Sequence, residues 1–173
     1  MEILENRTAW STEFKSGWLK HYNETGTIDW SLYNRPKNKS APGLPGIDLS
    51  QTRLAFITTA GAYLKNGQQP FDAANDLGDY TVRILPAHTH FDEIAYAHDH
   101  YDHTAVNADP QVLMPLRHLE TLVDEGVIGE IAPEVISFMG YQPDVTRVID
   151  DLFPKILDTV LAGRAKGALL VPA

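Results

Sequence analysis

The sequence predicts an α/β domain: a three-layer, Rossmann-like arrangement around a mostly parallel sheet, with an aromatic-rich N-terminal arm. Three observations predict it. Strand-length apolar runs, RLAFITT (Arg53–Thr59) and GALLV (Gly167–Val171), bracket helical patterns, the alternation expected of a parallel sheet. The helical patterns are amphipathic, so each has one face to lay on a sheet. All three tryptophans, Trp10, Trp18 and Trp30, fall in residues 1–50, apart from the rest of the chain. The boundaries expected are 1–50 for the arm and 51–173 for the α/β domain.

Composition sets the outer limits. The chain has 173 residues, a single-domain length, with 43% hydrophobic and 21% charged residues. Its formal net charge is -9 and no dense basic patch breaks it, which argues against nucleic-acid binding, since phosphate neutralisation needs clustered Lys and Arg. No apolar run reaches the roughly 18 residues of a membrane span, and MEILENRTAW has no signal-peptide core. No membrane partner is expected, and a cytoplasmic location is the default. With no cysteine, disulfides, thiolate metal sites and thiol catalysis are excluded within these residues.

In the arm, Trp10, Phe14, Trp18 and Tyr22 form an i, i+4 stripe, which predicts helix over Thr8–Tyr22. RPKNKSAPGLPG, from Arg35 to Gly46, reads as a loop or linker. The aromatics are expected to pack on the main domain; the competing reading is an arm that swaps onto another subunit. From Arg53 to Thr59 a buried strand is expected, running into AGAYLKNGQQPFD. Its end places Thr58, Thr59 and Gly61 at the carboxyl edge of the sheet, where open α/β sheets bind ligands, so these three are the candidate substrate-binding residues. A tight turn explains them equally well. Neither a GxGxxG nor a P-loop motif is present.

YTVRIL (Tyr80–Leu85) is a second strand candidate, with Val82 and Leu85 as core positions and Pro86 as its end. PLRHLETLVDE predicts a helix with Leu116, Leu119, Leu122 and Val123 on one face, Pro115 in its first turn and Gly126 past its end. Val127–Ile131 is short and apolar, and SFMGY (Ser137–Tyr141) reads as a strand-to-loop passage. Asp144–Ala165 is the longest helical pattern, with Asp144 as N-cap. Its apolar side is Val145, Val148, Ile149, Leu152, Ile156, Val160 and Leu161, and Pro154 is expected to bend or break it. Gly167–Val171 is expected to be a buried strand of the same sheet as Arg53–Thr59.

The densest chemistry is AHDHYDHT, Ala97–Thr104. His98, His100 and His103 stand with Asp99 and Asp102 within six residues, and five of the seven histidines lie between His88 and His103. Burying so many donors is costly unless each has a partner. Three readings stay open. A metal site would use His98, His100, Asp102 and His103, a donor set suited to zinc or iron. A general acid–base site would use His98, His100, Tyr101 and His103 as catalytic groups. The third reading is a solvated, helix-capping or interface loop. His118 is expected to be structural or solvated. The HxHxDH spacing also matches the metallo-β-lactamase signature, but no histidine follows His118 and the chain is too short for that fold.

TTAGAYLK, YTVRILP, AHDHYDHTAVNADPQVLMPLRHL, EGVIGEIAPEVISFMGY and GALLVPA, in that order, resemble the selenoprotein B family. That family comprises the B components of glycine, sarcosine and betaine reductase and the selenocysteine subunit of D-proline reductase. The resemblance runs from about Arg53 to the end. It implies a reductase component acting in reductive C–N cleavage of an amino acid or its N-methylated derivative, with partner reductase subunits. It also implies a selenocysteine nucleophile after a strand and a Thr-Pro-Val-like tripeptide. Here Val171, Pro172 and Ala173 occupy that tripeptide and no nucleophile follows, so the expectation is a domain stopping just before the family's redox residue. The alternative is a non-redox ligand-binding or metal-dependent protein on the same scaffold. A homo-oligomer is expected in either case.

Overall fold

The aromatic stripe of the N-terminal segment folds as two helices rather than one. In the computed structural model, which describes residues 3–40, 43 and 46–173, α1 is Arg7–Ser16 and α2 is Trp18–Thr25, separated at Gly17. Trp10, Phe14 and Trp18 are buried with Leu4, against Leu77, Val145 and Ile149 further along the chain. Trp30 departs from the expectation and stays 51% exposed. The Arg35–Gly46 loop is described only in part: Ala41, Pro42, Leu44 and Pro45 lie outside the described residues.

Arg53–Thr58 forms β1, with Phe56 fully buried; burying such a side chain stabilises by about 1.5–3 kcal/mol. Ala62–Leu64 (β2) pairs antiparallel with Ile94–Tyr96 (β4) as a separate two-stranded sheet. Arg83–Pro86 (β3) starts later than the sequence suggests and includes Pro86. Proline is tolerated there because β3 is an edge strand and pairs only with β5 among the described residues. Of the two core positions expected in it, Leu85 is fully buried and Val82 half-buried.

Thr104–Ala108 is α3 and Leu116–Asp124 is α4, which starts at Pro115 as N-cap and ends before Gly126, at φ 72°. Leu116 and Leu119 of α4 join Leu54, Phe56, Leu85 and Val135 in the main core. Glu130–Ser137 is β5, a central strand that the sequence reading did not recognise. Five residues of β5, Ile131 to Val135, span the same distance as the three from Leu54 to Phe56 of β1. The resulting bulge places Pro133 where no ladder N–H is required.

Asp144 caps α5 (Val145–Arg147), accepting from the Thr146 N–H at 2.9 Å. A π turn over Val148–Leu152 follows, closed by Phe153 N–H to Val148 O, and then α6, Phe153–Ala162. As expected of Pro154, the regular α-helix is interrupted ahead of it: the π turn ends at Leu152 and Pro154 lies in the first turn of α6. Leu161, expected on the apolar inner side, is 61% exposed.

Gly167–Val171 forms β6 in the same sheet as β1, in order β3-β5-β1-β6. β1 is parallel to both neighbours and β3 is antiparallel to β5. The expectation of full burial fails for β6: it is an edge strand, and Leu170 is 55% exposed. The architecture is therefore mixed α/β with a mostly parallel sheet. No helix among the described residues is long and apolar enough to cross a membrane.

Candidate histidine-loop site

The carboxyl ends of β1, β5 and β6 converge, and the histidine loop lies against them. Gly61 makes the approach possible. It takes φ 66°, and a Cβ there would sit 2.5 Å from the Ala97 carbonyl oxygen. The Ala97 N–H donates to Gly61 O at 2.9 Å, tying the loop to the end of β1. Gly140 does the same from β5: a Cβ there would lie 3.1 Å from Thr59 Oγ1 and 3.3 Å from His98 Nε2. Thr59 Oγ1 accepts from Ala173 N–H at 2.8 Å, so the end of β6 belongs to the same corner.

The three substrate-binding candidates divide. Thr59 is half-buried beside His98. Thr58 is fully buried, its hydroxyl donating to Leu113 O at 3.1 Å and accepting from Ala60 N–H. Gly61 is buried, and its N–H is given to Phe138 O at 3.0 Å. The Thr59 N–H goes to Val171 O. Backbone donors at this edge are thus consumed by the fold.

Within the loop each side chain has a separate assignment. His98 is 4% exposed, and its Nδ1 accepts from His100 N–H at 3.2 Å, which leaves the proton of the neutral ring on Nε2, facing Gly140 and Thr59. Burial, then the neighbouring imidazoles of His100 and His103, hold its pKa below the ordinary 6.5. His103 Nε2 donates to His98 O at 2.8 Å, so its Nδ1 carries the free lone pair. Tyr101 donates its hydroxyl to Ala60 O at 3.1 Å, and burial pushes its pKa up to about 12. Its ring lies 4.5 Å from that of His103 and 5.1 Å from that of His98. Asp102 accepts from Thr104 N–H at 2.9 Å and from its hydroxyl at 2.7 Å, in a turn just ahead of α3; these bonds hold its carboxyl below the usual range.

The tetrad His98, His100, Asp102 and His103 is not gathered around one point: Asp102 is turned to Thr104, the acceptor nitrogen of His98 takes the His100 N–H, and the exposed His100 ring stacks on Tyr141. Among the described residues no three His, Asp or Glu side chains converge as a metal-holding group. His88, His90 and His118 are exposed; His88 and His90 line a separate cavity of about 290 Å³ with Leu64 and Glu93.

Two contributors were missed by sequence reasoning. Tyr141 stacks on His100 at 4.0 Å between centroids and 6° between planes, with its hydroxyl donating to Asp76 O at 2.9 Å. Trp30 meets Tyr141 edge-on at 6.1 Å and also contacts Trp18 at 5.6 Å. An unbroken run of rings therefore joins the buried N-terminal cluster to the histidine loop. The aromatic after Gly140 in SFMGY was the available signal. Tyr96, edge-on to His103 at 6.4 Å, keeps a buried hydroxyl with no hydrogen-bond partner among the described residues.

The arrangement leaves two imidazoles with opposite functions, a donor Nε2–H on the buried His98 and an acceptor Nδ1 on His103, with phenols nearby.

Comparison with known proteins gives this corner a family. D-proline reductase subunit gamma of Acetoanaerobium sticklandii is 30% identical over 109 residues, covering 63% of this chain and 43% of the relative. Sarcosine reductase complex component B subunit beta of Peptoclostridium acidaminophilum is 28% identical over 111 residues, 62% of this chain and 25% of the relative. Glycine reductase complex component B subunit gamma of Symbiobacterium thermophilum is 33% identical over 95 residues, 52% and 21% respectively. The chain thus spans less than half the length of these curated relatives. No solved structure matches. The profile of the glycine/sarcosine/betaine reductase selenoprotein B family matches residues 31–150. That range starts earlier than the sequence resemblance suggested, taking in part of the expected arm, and stops before β6. It covers well over half of the 173 residues and includes the whole histidine loop, so the chain belongs to the glycine/sarcosine/betaine reductase selenoprotein B family.

Proposed function

We propose that this chain is a cytoplasmic component of a reductase complex that cleaves the C–N bond of an amino acid or an N-methylated derivative, and that its histidine loop handles the proton of the departing amine. The observation that carries the proposal is the juxtaposition of His98 Nε2 with Thr59 and Gly140 at the carboxyl ends of β1 and β5, inside the family-matched region. Reductive cleavage of a C–N bond whose nitrogen is uncharged adds two electrons and two protons, one to carbon and one to the nitrogen as the bond breaks; a quaternary nitrogen leaves without taking one. A neutral imidazole N–H held in a fixed orientation is a suitable general acid, with an expected contribution of about 10²–10⁴ in rate. His103 Nδ1 is the corresponding base that reloads the site. Tyr101, with its pKa near 12, stays protonated and orients the two rings. His100 and Tyr141 form one wall, and Thr59 contributes a hydroxyl that, like His98 Nε2, borders Gly140.

These residues contain no thiol or selenol, so the nucleophilic step falls to a group outside them. The role assigned here is substrate positioning and proton transfer, with the electrons supplied through partner reductase subunits. Zinc and iron, the metals suggested by the donor types, are assigned no step, because among the described residues no three of these donors converge.

The test is ligand-detected. Glycine, sarcosine, betaine and D-proline are titrated into protein with ¹⁵N-labelled histidine. Shifts at His98 Nε2 and His103 Nδ1 are expected with at least one of them and lost in Thr59→Val. If none of the four moves either resonance while the fold is intact, the reading fails. If Zn²⁺ instead shifts all three imidazoles at equimolar ratio, the metal-dependent alternative replaces it.

A further inference from the structure

α6 is apolar along most of its length, yet none of its residues is buried. Phe153, Leu157 and Leu161, at i, i+4 and i+8, are 40%, 40% and 61% exposed and form a ridge down its outer side. Beside the ridge runs a second apolar strip. β6 pairs with β1 through Ala55–Ala168 and Ile57–Leu170, so those four side chains share one face of the sheet. Leu169 and Val171 point to the opposite face and pack on the main core. Ala55 and Ile57 are buried, whereas Ala168 and Leu170 are exposed. α6 covers the β5 side of this face, where a Cβ on Gly163 would touch Ala132 at 3.6 Å. The β6 side of the face carries Leu170 in the open. An apolar patch of this kind marks an interaction surface.

We propose that the Phe153–Leu157–Leu161 ridge and the Ala168–Leu170 strip are one self-complementary interface, through which two copies of this chain associate about a two-fold axis. A ridge with a shallow strip alongside it satisfies the requirement of an isologous contact: under two-fold rotation the ridge of each copy enters the strip of the other. The charges select the same occupant. Asp158 on α6, and Arg164 and Lys166 just beyond its end, are exposed and have no ion-pair partner among the described residues. An antiparallel copy of α6 brings each Asp158 towards the Arg164 and Lys166 of the other and sets the two helix dipoles head to tail.

The experiment is sedimentation equilibrium on the 173-residue protein, with circular dichroism as the folding control. A concentration-dependent dimer is expected. Leu157→Asp should raise the dimer Kd by at least about a hundredfold, equivalent to ~2.7 kcal/mol, with the spectrum unchanged. Asp158→Arg should weaken the dimer, and adding Arg164→Asp to it should restore association. Because the chain has no native cysteine, Leu161→Cys, the ridge position nearest the axis of a pairing that sets Asp158 against Arg164, gives a second reading that tolerates some loss of stability: mild oxidation should cross-link two copies. A protein that is monomeric throughout and does not cross-link overturns the proposal. So does a dimer insensitive to Leu157→Asp, or a monomer whose Leu157 face is taken up only by a separate reductase subunit.

Discussion

Gly61 and His98 set the chemistry of the site between them. At φ 66°, with the Ala97 carbonyl 2.5 Å from where a Cβ would be, Gly61 admits no side chain without moving the histidine loop. Gly61→Ala is expected to cost about 1–3 kcal/mol in urea-unfolding stability and to shift the His98 and His103 resonances together. His98 makes stability depend on pH. Its folded pKa lies below 6.5, so below that value the unfolded chain takes up a proton that the folded protein refuses. The stability contributed by keeping this ring neutral is therefore present above pH 6.5 and lost as the pH falls towards the folded pKa. Urea midpoints measured from pH 7.5 down to 5 should fall, and His98→Gln should flatten that part of the curve. A slope unchanged by the substitution would assign the effect to other groups.

Among the elements, the run of rings from Trp18 through Trp30 and Tyr141 to His100 matters most, because it links α2 to a loop far away in sequence. Each aromatic pair of this kind contributes about 1 kcal/mol beyond its buried area. Removing the middle ring with Trp30→Ala should release about that much local stability. Hydrogen exchange over 97–104 is then expected to run roughly fivefold faster, with the amides of β1 and β5 unchanged. Equal acceleration everywhere would mean that Trp30 supports the fold as a whole and not the loop.

At the scale of the whole molecule, Arg53 closes the end of the sheet opposite the site. It holds Glu130 of β5 through Nε at 2.8 Å and reaches Gly163 O, past the end of α6, at 3.0 Å. Arg53→Met should lower global stability by about 1–2 kcal/mol in urea, mainly through the unpaired carbonyl, since the partly exposed ion pair is worth little. Much of this architecture was legible in the chain. β1, β6 and α4 follow from apolar runs and a helical stripe with Pro and Gly at its ends. β5 was not, because Pro133 and three glutamate or glycine neighbours, Gly129, Glu130 and Glu134, interrupt the apolar pattern; the bulge that absorbs Pro133 exists only once β1 is alongside. The exposure of β6 was also hidden, since GALLV reads the same at an edge as in the middle of a sheet. At the site, AHDHYDHT announced itself by composition. Which nitrogen of each ring is committed depends on the loop's own hydrogen bonds, and Tyr141 and Trp30 reach His100 only through tertiary packing.

The π turn at Val148–Leu152 can be counted as one surplus residue in an otherwise regular helix. A residue advances an α-helix by about 100°, so everything downstream has been turned by that angle. The inward side of the run is Val145, Ile149, Leu152, Ile156 and Val160, and each member of the outer ridge is the next residue along: Phe153, Leu157, Leu161. Take one residue out, for instance by deleting Asp151, and each ridge residue moves into the place its inward neighbour held. The ridge would close onto the sheet, and the same sequence of side chains that now faces outward would become core. An insertion of this size, gained or lost in a single event, is enough to switch such a chain between an associating and a solitary form. The deletion should retain its helical circular dichroism while sedimenting as a monomer.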